Sequence, residues 1–83
     1  MKVQIRYFAS VREALATSGE TVETGASTLA ALRDELIARG GAYATALARG
    51  KAVRMALDQA MSDEAAALRD GAEVAFFPPV TGG

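Results

Sequence analysis

Apolar and polar residues alternate where the chain begins, with Val3, Ile5 and Tyr7 on one face and Lys2, Gln4 and Arg6 on the other. A period of two belongs to a half-buried strand, here predicted over Lys2 to Phe8. Ser10-Val11-Arg12-Glu13 has the spacing of a capping box, which predicts a short helix that starts at Val11 and stops before Gly19. Thr21 and Val22 favour extended backbone, so a second strand is expected over Glu20 to Thr24, closed by Gly25. From Ser27, read as an N-cap, Leu29, Leu32, Leu36 and Ile37 recur at helical spacing through Arg39, and Gly40-Gly41 supplies the stop. This is the main helix, and its apolar stripe needs a sheet to lie on. Tyr43 to Arg49 reads as a shorter helical piece. Alternation returns over Ala52 to Leu57, Asp58-Gln59 forms a turn, and Ala60-Met61 adds a very short strand. Ser62 to Leu68 has no clear period, with Leu68 the residue marked for burial. After a turn at Arg69-Asp70-Gly71, the last strand runs from Glu73 to Phe77 and is stopped by Pro78-Pro79, which cannot donate to a ladder.

The order strand, strand, helix, strand, short strand, strand predicts an α+β domain, a mixed sheet packed on one face by one main helix. Strand phase leaves two phenylalanines outside. If Val74 and Phe76 point into the core, Phe77 points out, and Phe8 falls off the phase of Val3, Ile5 and Tyr7. Exposed Phe8 and Phe77 are therefore candidate anchors for a partner, with Arg12 and Lys51 as candidate charges at the rim.

Composition narrows what such a domain can do. The chain has 83 residues, room for one core, and 19 of its apolar residues are alanine. A domain of this size buries only about 60% of the surface its unfolded chain exposes, which implies a modest stability margin or a partner that covers part of the surface. A net charge of −1 without a basic block argues against nucleic acid as a partner. The longest uncharged stretch, Val74 to Gly83, contains two prolines and falls short of the ~20 apolar residues of a membrane helix. The N-terminal residues lack the apolar run of a signal peptide, so a cytoplasmic location without membrane attachment is expected. With no Cys and no His, the chain offers no thiolate nucleophile, imidazole base or Cys/His metal cluster. Its carboxylates, Glu20 and Glu23, Asp34 and Glu35, Asp63 and Glu64, Asp70 and Glu73, fall mainly in turns or on polar faces and read as solvated charge.

The chemistry is concentrated at the end. Pro78-Pro79 should force the chain off the sheet as a semi-rigid extended arm. Residues 1–78 then form the domain and 79–83 a flexible tail that reaches at most about 17 Å. Pro79, Val80, Thr81 and Gly82 can thread a narrow channel, and the two glycines, lacking Cβ, pass a slot that would reject any side chain. What arrives is the carboxylate of Gly83, a poor electrophile until adenylation makes it a mixed anhydride. A chain with no catalytic side chains and a presentable terminus reads as a carried substrate.

Three segments, Tyr7-Phe8-Ala9-Ser10-Val11-Arg12-Glu13, Ser27-Thr28-Leu29-Ala30-Ala31-Leu32-Arg33 and Asp70-Gly71-Ala72-Glu73-Val74-Ala75-Phe76-Phe77-Pro78-Pro79-Val80-Thr81-Gly82-Gly83, resemble the small, sulfur-carrying subunits of molybdopterin synthases. The resemblance spans the whole chain and implies a ubiquitin-like β-grasp fold whose first and last strands are central parallel neighbours. Phe8 and Phe77 would then lie together beside the tail exit. It further implies that an adenylating enzyme of the ubiquitin-activating type uses ATP to form an acyl-adenylate on Gly83, and that a sulfur donor converts this to a thiocarboxylate. The tail would insert into the large subunit, and its sulfur would attack cyclic pyranopterin monophosphate, building the molybdopterin dithiolene of molybdenum cofactor biosynthesis. The implied assembly is a heterotetramer with catalytic side chains on the large subunit, a non-catalytic small subunit and no permanently bound cofactor or metal. Asp58-Gln59 departs from the Asn-Gln frequent in that family. A sulfur carrier of thiamine biosynthesis, a conjugated ubiquitin-like modifier and a binding domain with an inert tail are the alternatives.

Overall fold

The N-terminal alternation becomes a strand, β1 (Lys2–Tyr7), in which every second residue is buried. Helix α1 (Ala9–Leu15), strand β2 (Gly19–Glu23), helices α2 (Leu29–Ile37) and α3 (Gly41–Ala46), and strands β3 (Arg54–Leu57), β4 (Ala60–Ser62) and β5 (Glu73–Phe77) follow. The computed structural model describes residues 1–79. The sheet has the order β2-β1-β5-β3-β4. Its central pair, β1 and β5, is parallel, with Ile5 opposite Val74 and Tyr7 opposite Phe76, and the other pairings are antiparallel. A mixed five-stranded sheet gripping one main helix between its two hairpin-like arms is the ubiquitin-like β-grasp fold.

Register places Val3, Ile5, Tyr7, Met55, Val74 and Phe76 on one face of the sheet, where they pack with Leu29, Leu32 and Leu36 of α2. Val11 of α1, Leu47 and Leu68 complete the cluster. Burial of each large aliphatic or aromatic side chain stabilises by roughly 1.5–3 kcal/mol, which is how a domain poor in large apolar residues still folds.

Local signals were overridden at both helix starts. The Ser10 capping box does not form, because α1 begins at Ala9 and Phe8 is its N-cap without a side-chain cap bond. The reason is tertiary: the Phe8 amide still donates to the Phe76 carbonyl at 3.1 Å, extending the β1–β5 ladder one residue further. The chain then reverses through Ala9 at φ 50°, a left-handed conformation that costs about 1 kcal/mol in a residue with a Cβ. Thr28 rather than Ser27 caps α2, its Oγ1 accepting the Ala31 amide at 3.2 Å. The Ser27 carbonyl is instead committed to the Leu68 amide at 2.9 Å. Asp58 and Gln59 both take positive φ, 49° and 69°, and join β3 to β4 as a two-residue hairpin loop. Asp58 suits that loop: its carboxylate accepts the Glu73 amide at 3.0 Å and its own amide donates to the Glu73 carbonyl at 2.8 Å.

Two polar clusters hold the irregular segments. Arg33, on the apolar side of α2, is 4% exposed. Its Nε donates to the Leu47 carbonyl at 2.8 Å and Nη2 to the carbonyls of Ala48 and Lys51 at 2.7 and 3.1 Å, while Nη1 faces Glu64 at 3.3 Å. A planar guanidinium thus satisfies three loop carbonyls that have no ladder to join. At the other side of the helix layer, the Glu20 carboxylate accepts from Tyr7 Oη at 2.9 Å, Tyr43 Oη at 2.8 Å and Arg39 Nη1 at 2.8 Å. Burial alone would raise the Glu20 carboxyl, but the hydrogen bonds from Arg39, Tyr43 and Tyr7 outweigh it and hold the group below its usual range. Burial and the Glu20 charge push the Tyr7 phenol far up in turn.

Arg33→Met removes those donors and leaves the carbonyl of buried Leu47 without its side-chain partner, while the Ala48 and Lys51 carbonyls keep the amides of Lys51 and Val53, so it should lower unfolding free energy by about 1–3 kcal/mol in urea titration. Glu20→Gln should cost about 1–2 kcal/mol at pH 7. Because the folded-state carboxyl is depressed, its contribution is complete above the unfolded value near 4.5 and is lost as pH falls through the folded value. The gap between the wild-type and Glu20→Gln denaturation midpoints should therefore narrow between pH 7 and pH 3.

Candidate functional site: the open sheet face and the chain exit

The core residues named above all lie on one side of the sheet, and among the described residues its other face is open. On that face Arg6 of β1 lies opposite Ala75 of β5, so the next same-face residues on the two parallel strands are Phe8 and Phe77. The structure therefore brings together the two phenylalanines that strand phase marks as outward. Phe8 is 44% exposed and Phe77 half-buried. Across the sheet Ala75 lies opposite Ala56, and Ala56 opposite Met61. The two alanines make a low floor between larger neighbours, and a groove of about 640 Å³ results, with Phe8, Phe77 and Met61 among its lining. Arg6 and Glu73, paired at 3.4 Å, and Gln59 add polar groups to its border. An apolar centre with a polar margin is the anatomy of a docking surface.

The chain leaves the sheet at the same end. Pro78 and Pro79 continue beyond β5 and line a second groove, about 300 Å³, with Ser10 and Val11 of α1, Thr45 of α3 and Lys51. Lys51 is held there through its backbone, its carbonyl accepting from Arg33 at 3.1 Å and its amide donating to the Ala48 carbonyl at 2.8 Å. The buried arginine thus fixes the place of a cation beside the exit. Arg12 is exposed on α1, its amide within 3.3 Å of the Phe8 carbonyl, and its side chain lines neither groove. The expectations for Val80, Thr81, Gly82 and Gly83 fall outside the described residues.

The groups with shifted pKa values, Tyr7, Glu20, Arg39, Tyr43 and Arg49, lie outside both grooves. Arg49, whose guanidinium is raised by Asp34, is spread over Asp34 at 2.8 Å, Glu64 and the Ala30 carbonyl, a tie between α2 and the loop before β3. Among the described residues there is no cluster of acidic side chains able to hold a metal ion. What the described residues offer is a surface and a proline-led exit from the sheet.

Sequence reasoning missed Met61, at 59% the most exposed large apolar side chain among the described residues. A three-residue strand carries too little alternation to reveal a face; only its pairing through the Asp58-Gln59 hairpin sets Met61 beside Ala56. It also missed Arg33, whose burial among carbonyls of a loop has no local signature.

Residues 5–83 match the ThiS family. The chain is 41% identical over 81 residues to the molybdopterin synthase sulfur carrier subunit of Escherichia coli (strain K12), covering 98% of this chain and 99% of that one. It is 36% identical over 81 residues, with the same coverage, to the protein of that name from Haemophilus influenzae. Among solved structures, a chain in the complex of subunits 1 and 2 of molybdopterin-converting factor from Helicobacter pylori superposes with a TM-score of 0.70 at 25% identity, covering 100% of both chains. Sequence over nearly the whole length and fold agree, and the chain belongs to the ThiS family, in the group of the molybdopterin synthase sulfur carrier subunits.

Proposed function

We propose that this protein is the sulfur-carrying small subunit of a molybdopterin synthase. The observation that carries the reading is the coincidence, at one end of the central strand pair, of an exposed Phe8–Phe77 surface and a proline-led exit toward Gly82-Gly83. The near full-length relatives supply the chemistry: both carry the name of a sulfur carrier subunit.

In this reading the Gly83 carboxylate oxygen attacks the α-phosphate of ATP on an adenylating enzyme of the ubiquitin-activating type, releasing pyrophosphate. Sulfur from a donor protein then displaces AMP, leaving a thiocarboxylate. The domain docks through Phe8 and Phe77, with Arg12 and Lys51 as rim charges, and Pro79, Val80, Thr81 and Gly82 thread into the large subunit. There the terminal sulfur attacks cyclic pyranopterin monophosphate, and two carriers serve each dithiolene from the ends of a large-subunit dimer. The Helicobacter pylori relative, solved as a complex of subunits 1 and 2, supports a second subunit as the partner. The catalytic side chains belong to that partner, consistent with a chain that has neither Cys nor His. The work takes place in the cytoplasm, with no nucleic acid or membrane as partner.

Proline stiffens the start of the arm, so little conformational freedom is lost when it inserts. Glycines at its tip let the backbone approach closely where a Cβ would collide.

Deletion of Gly83, or Gly82→Ala, should abolish or strongly reduce sulfur transfer to the pterin precursor in a reconstituted assay while the urea midpoint stays at the wild-type value. Transfer at the wild-type rate from either variant would contradict the assignment. Phe77→Ala should weaken association with the large subunit by about 1–3 kcal/mol, read by calorimetry, and unchanged affinity would remove Phe77 from the interface.

A further inference from the structure

The three methionines occupy three different environments. Met55 is 4% exposed and belongs to the core. Met1 is 41% exposed, but it precedes β1 and its amino group donates to the Thr24 carbonyl, at the opposite end of the sheet from Phe8 and Phe77. Met61 is 59% exposed, sits on the edge strand β4 opposite Ala56, and lines the groove that contains Phe8 and Phe77. An accessible thioether is the side chain that peroxides oxidise most readily in a chain without cysteine.

We propose that Met61 is a reversible oxidation site whose state sets the affinity of the docking face. The reaction is a two-electron oxygen transfer from a peroxide: the O–O bond breaks, one oxygen bonds to the Met61 sulfur, and the other leaves as water. Sulfur is oxidised and the peroxide reduced. The product is a sulfoxide, whose polar oxygen enters a groove lined by Phe8, Ala56, Ala75 and Phe77 and bordered by Arg6, Gln59 and Glu73, and it must lose its water when a partner covers the groove. Stripping that water from a group that was an apolar anchor disfavours the docked state, whereas the free domain keeps the oxygen in solvent. Met61 contributes nothing to the core cluster, so the fold tolerates the change. Docking itself shields the sulfur, so the free carrier is the species that oxidises. A methionine sulfoxide reductase acting on the free chain restores the thioether: a dithiol gives up two electrons and two protons and becomes a disulfide, and the oxygen leaves as water.

This inference rests on the docking surface of the proposed function, and the test separates the two. The full chain is treated alone with dilute hydrogen peroxide, catalase removes the excess, peptide mapping locates the added oxygen, and affinity for the large subunit is measured before and after. Oxygen should appear at Met61 and Met1 well before Met55. Affinity should fall about tenfold with the urea midpoint unchanged, and return after reductase treatment. Met61→Leu, whatever its own affinity, should show the same value before and after peroxide. An equal fall in Met61→Leu, unchanged affinity of wild-type chain oxidised at Met61, or a lowered midpoint accounting for the loss would overturn the inference. Failure of the untreated chain to bind the large subunit would overturn the docking reading itself, and this inference with it.

Discussion

The parallel pairing of β1 with β5 is the constraint on which the rest depends. Parallel strands end on the same side, so a chain that begins with one and finishes with the other brings residues nearly seventy positions apart to one edge of the molecule. The ladder does not stop at Tyr7: the Phe8 amide continues it to the Phe76 carbonyl, and α1 must start from wherever that bond leaves the backbone. Phe8, Phe77, Pro78 and the groove lined by Pro79 and Lys51 inherit their positions from this one pairing. Its hydrogen bonds lie in the centre of the sheet and its side chains, Ile5, Tyr7, Val74 and Phe76, are among the most buried in the protein. The functional end is therefore built on the stiffest part of a small domain.

One-sided packing follows from the same economy of size. The helices lie on one face of the sheet, and none of the described elements covers the other. The open face is kept from being a large apolar liability by Ala56 and Ala75 at its floor and by the Arg6–Glu73 pair across it. A partner can then gain from a few anchors rather than a broad greasy surface. The polar clusters do the complementary task away from the site. Glu20 ties β2 to β1, to the turn after α2 and to α3 through Tyr7, Arg39 and Tyr43, and Arg33 ties α2 to the loop that carries Lys51.

Elements with a strong period were readable from sequence: the strand through Val3, Ile5 and Tyr7, the helix through Leu29, Leu32 and Leu36, and the last strand with Phe77 turned outward. Their boundaries were less so, because a cap at Ser10 competes with a ladder bond at Phe8, and the ladder bond wins by sitting in the sheet centre. The end of the last strand before Pro78-Pro79 was legible because proline cannot continue a ladder, while the expectations for Val80, Thr81, Gly82 and Gly83 lie outside the described residues. Met61 and Arg33 were not legible, since each takes its role from contacts set by topology: Met61 from a hairpin pairing, Arg33 from a loop folded over α2. Asp58 departs from the Asn frequent in the family, yet its side chain and left-handed backbone make the hairpin on which the placement of Met61 depends.

The central claim is that Gly83 carries sulfur, and the direct measurement is a fragment-resolved, high-accuracy mass of the C-terminal peptide after incubation with ATP in sulfur-supplemented extract. Fragment resolution is essential, because exchanging oxygen for sulfur has the same nominal mass change as oxidising Met1, Met55 or Met61. The account predicts sulfur localised to Gly83, dependent on ATP. An unmodified Gly83 in an extract that thiocarboxylates a known carrier would contradict it.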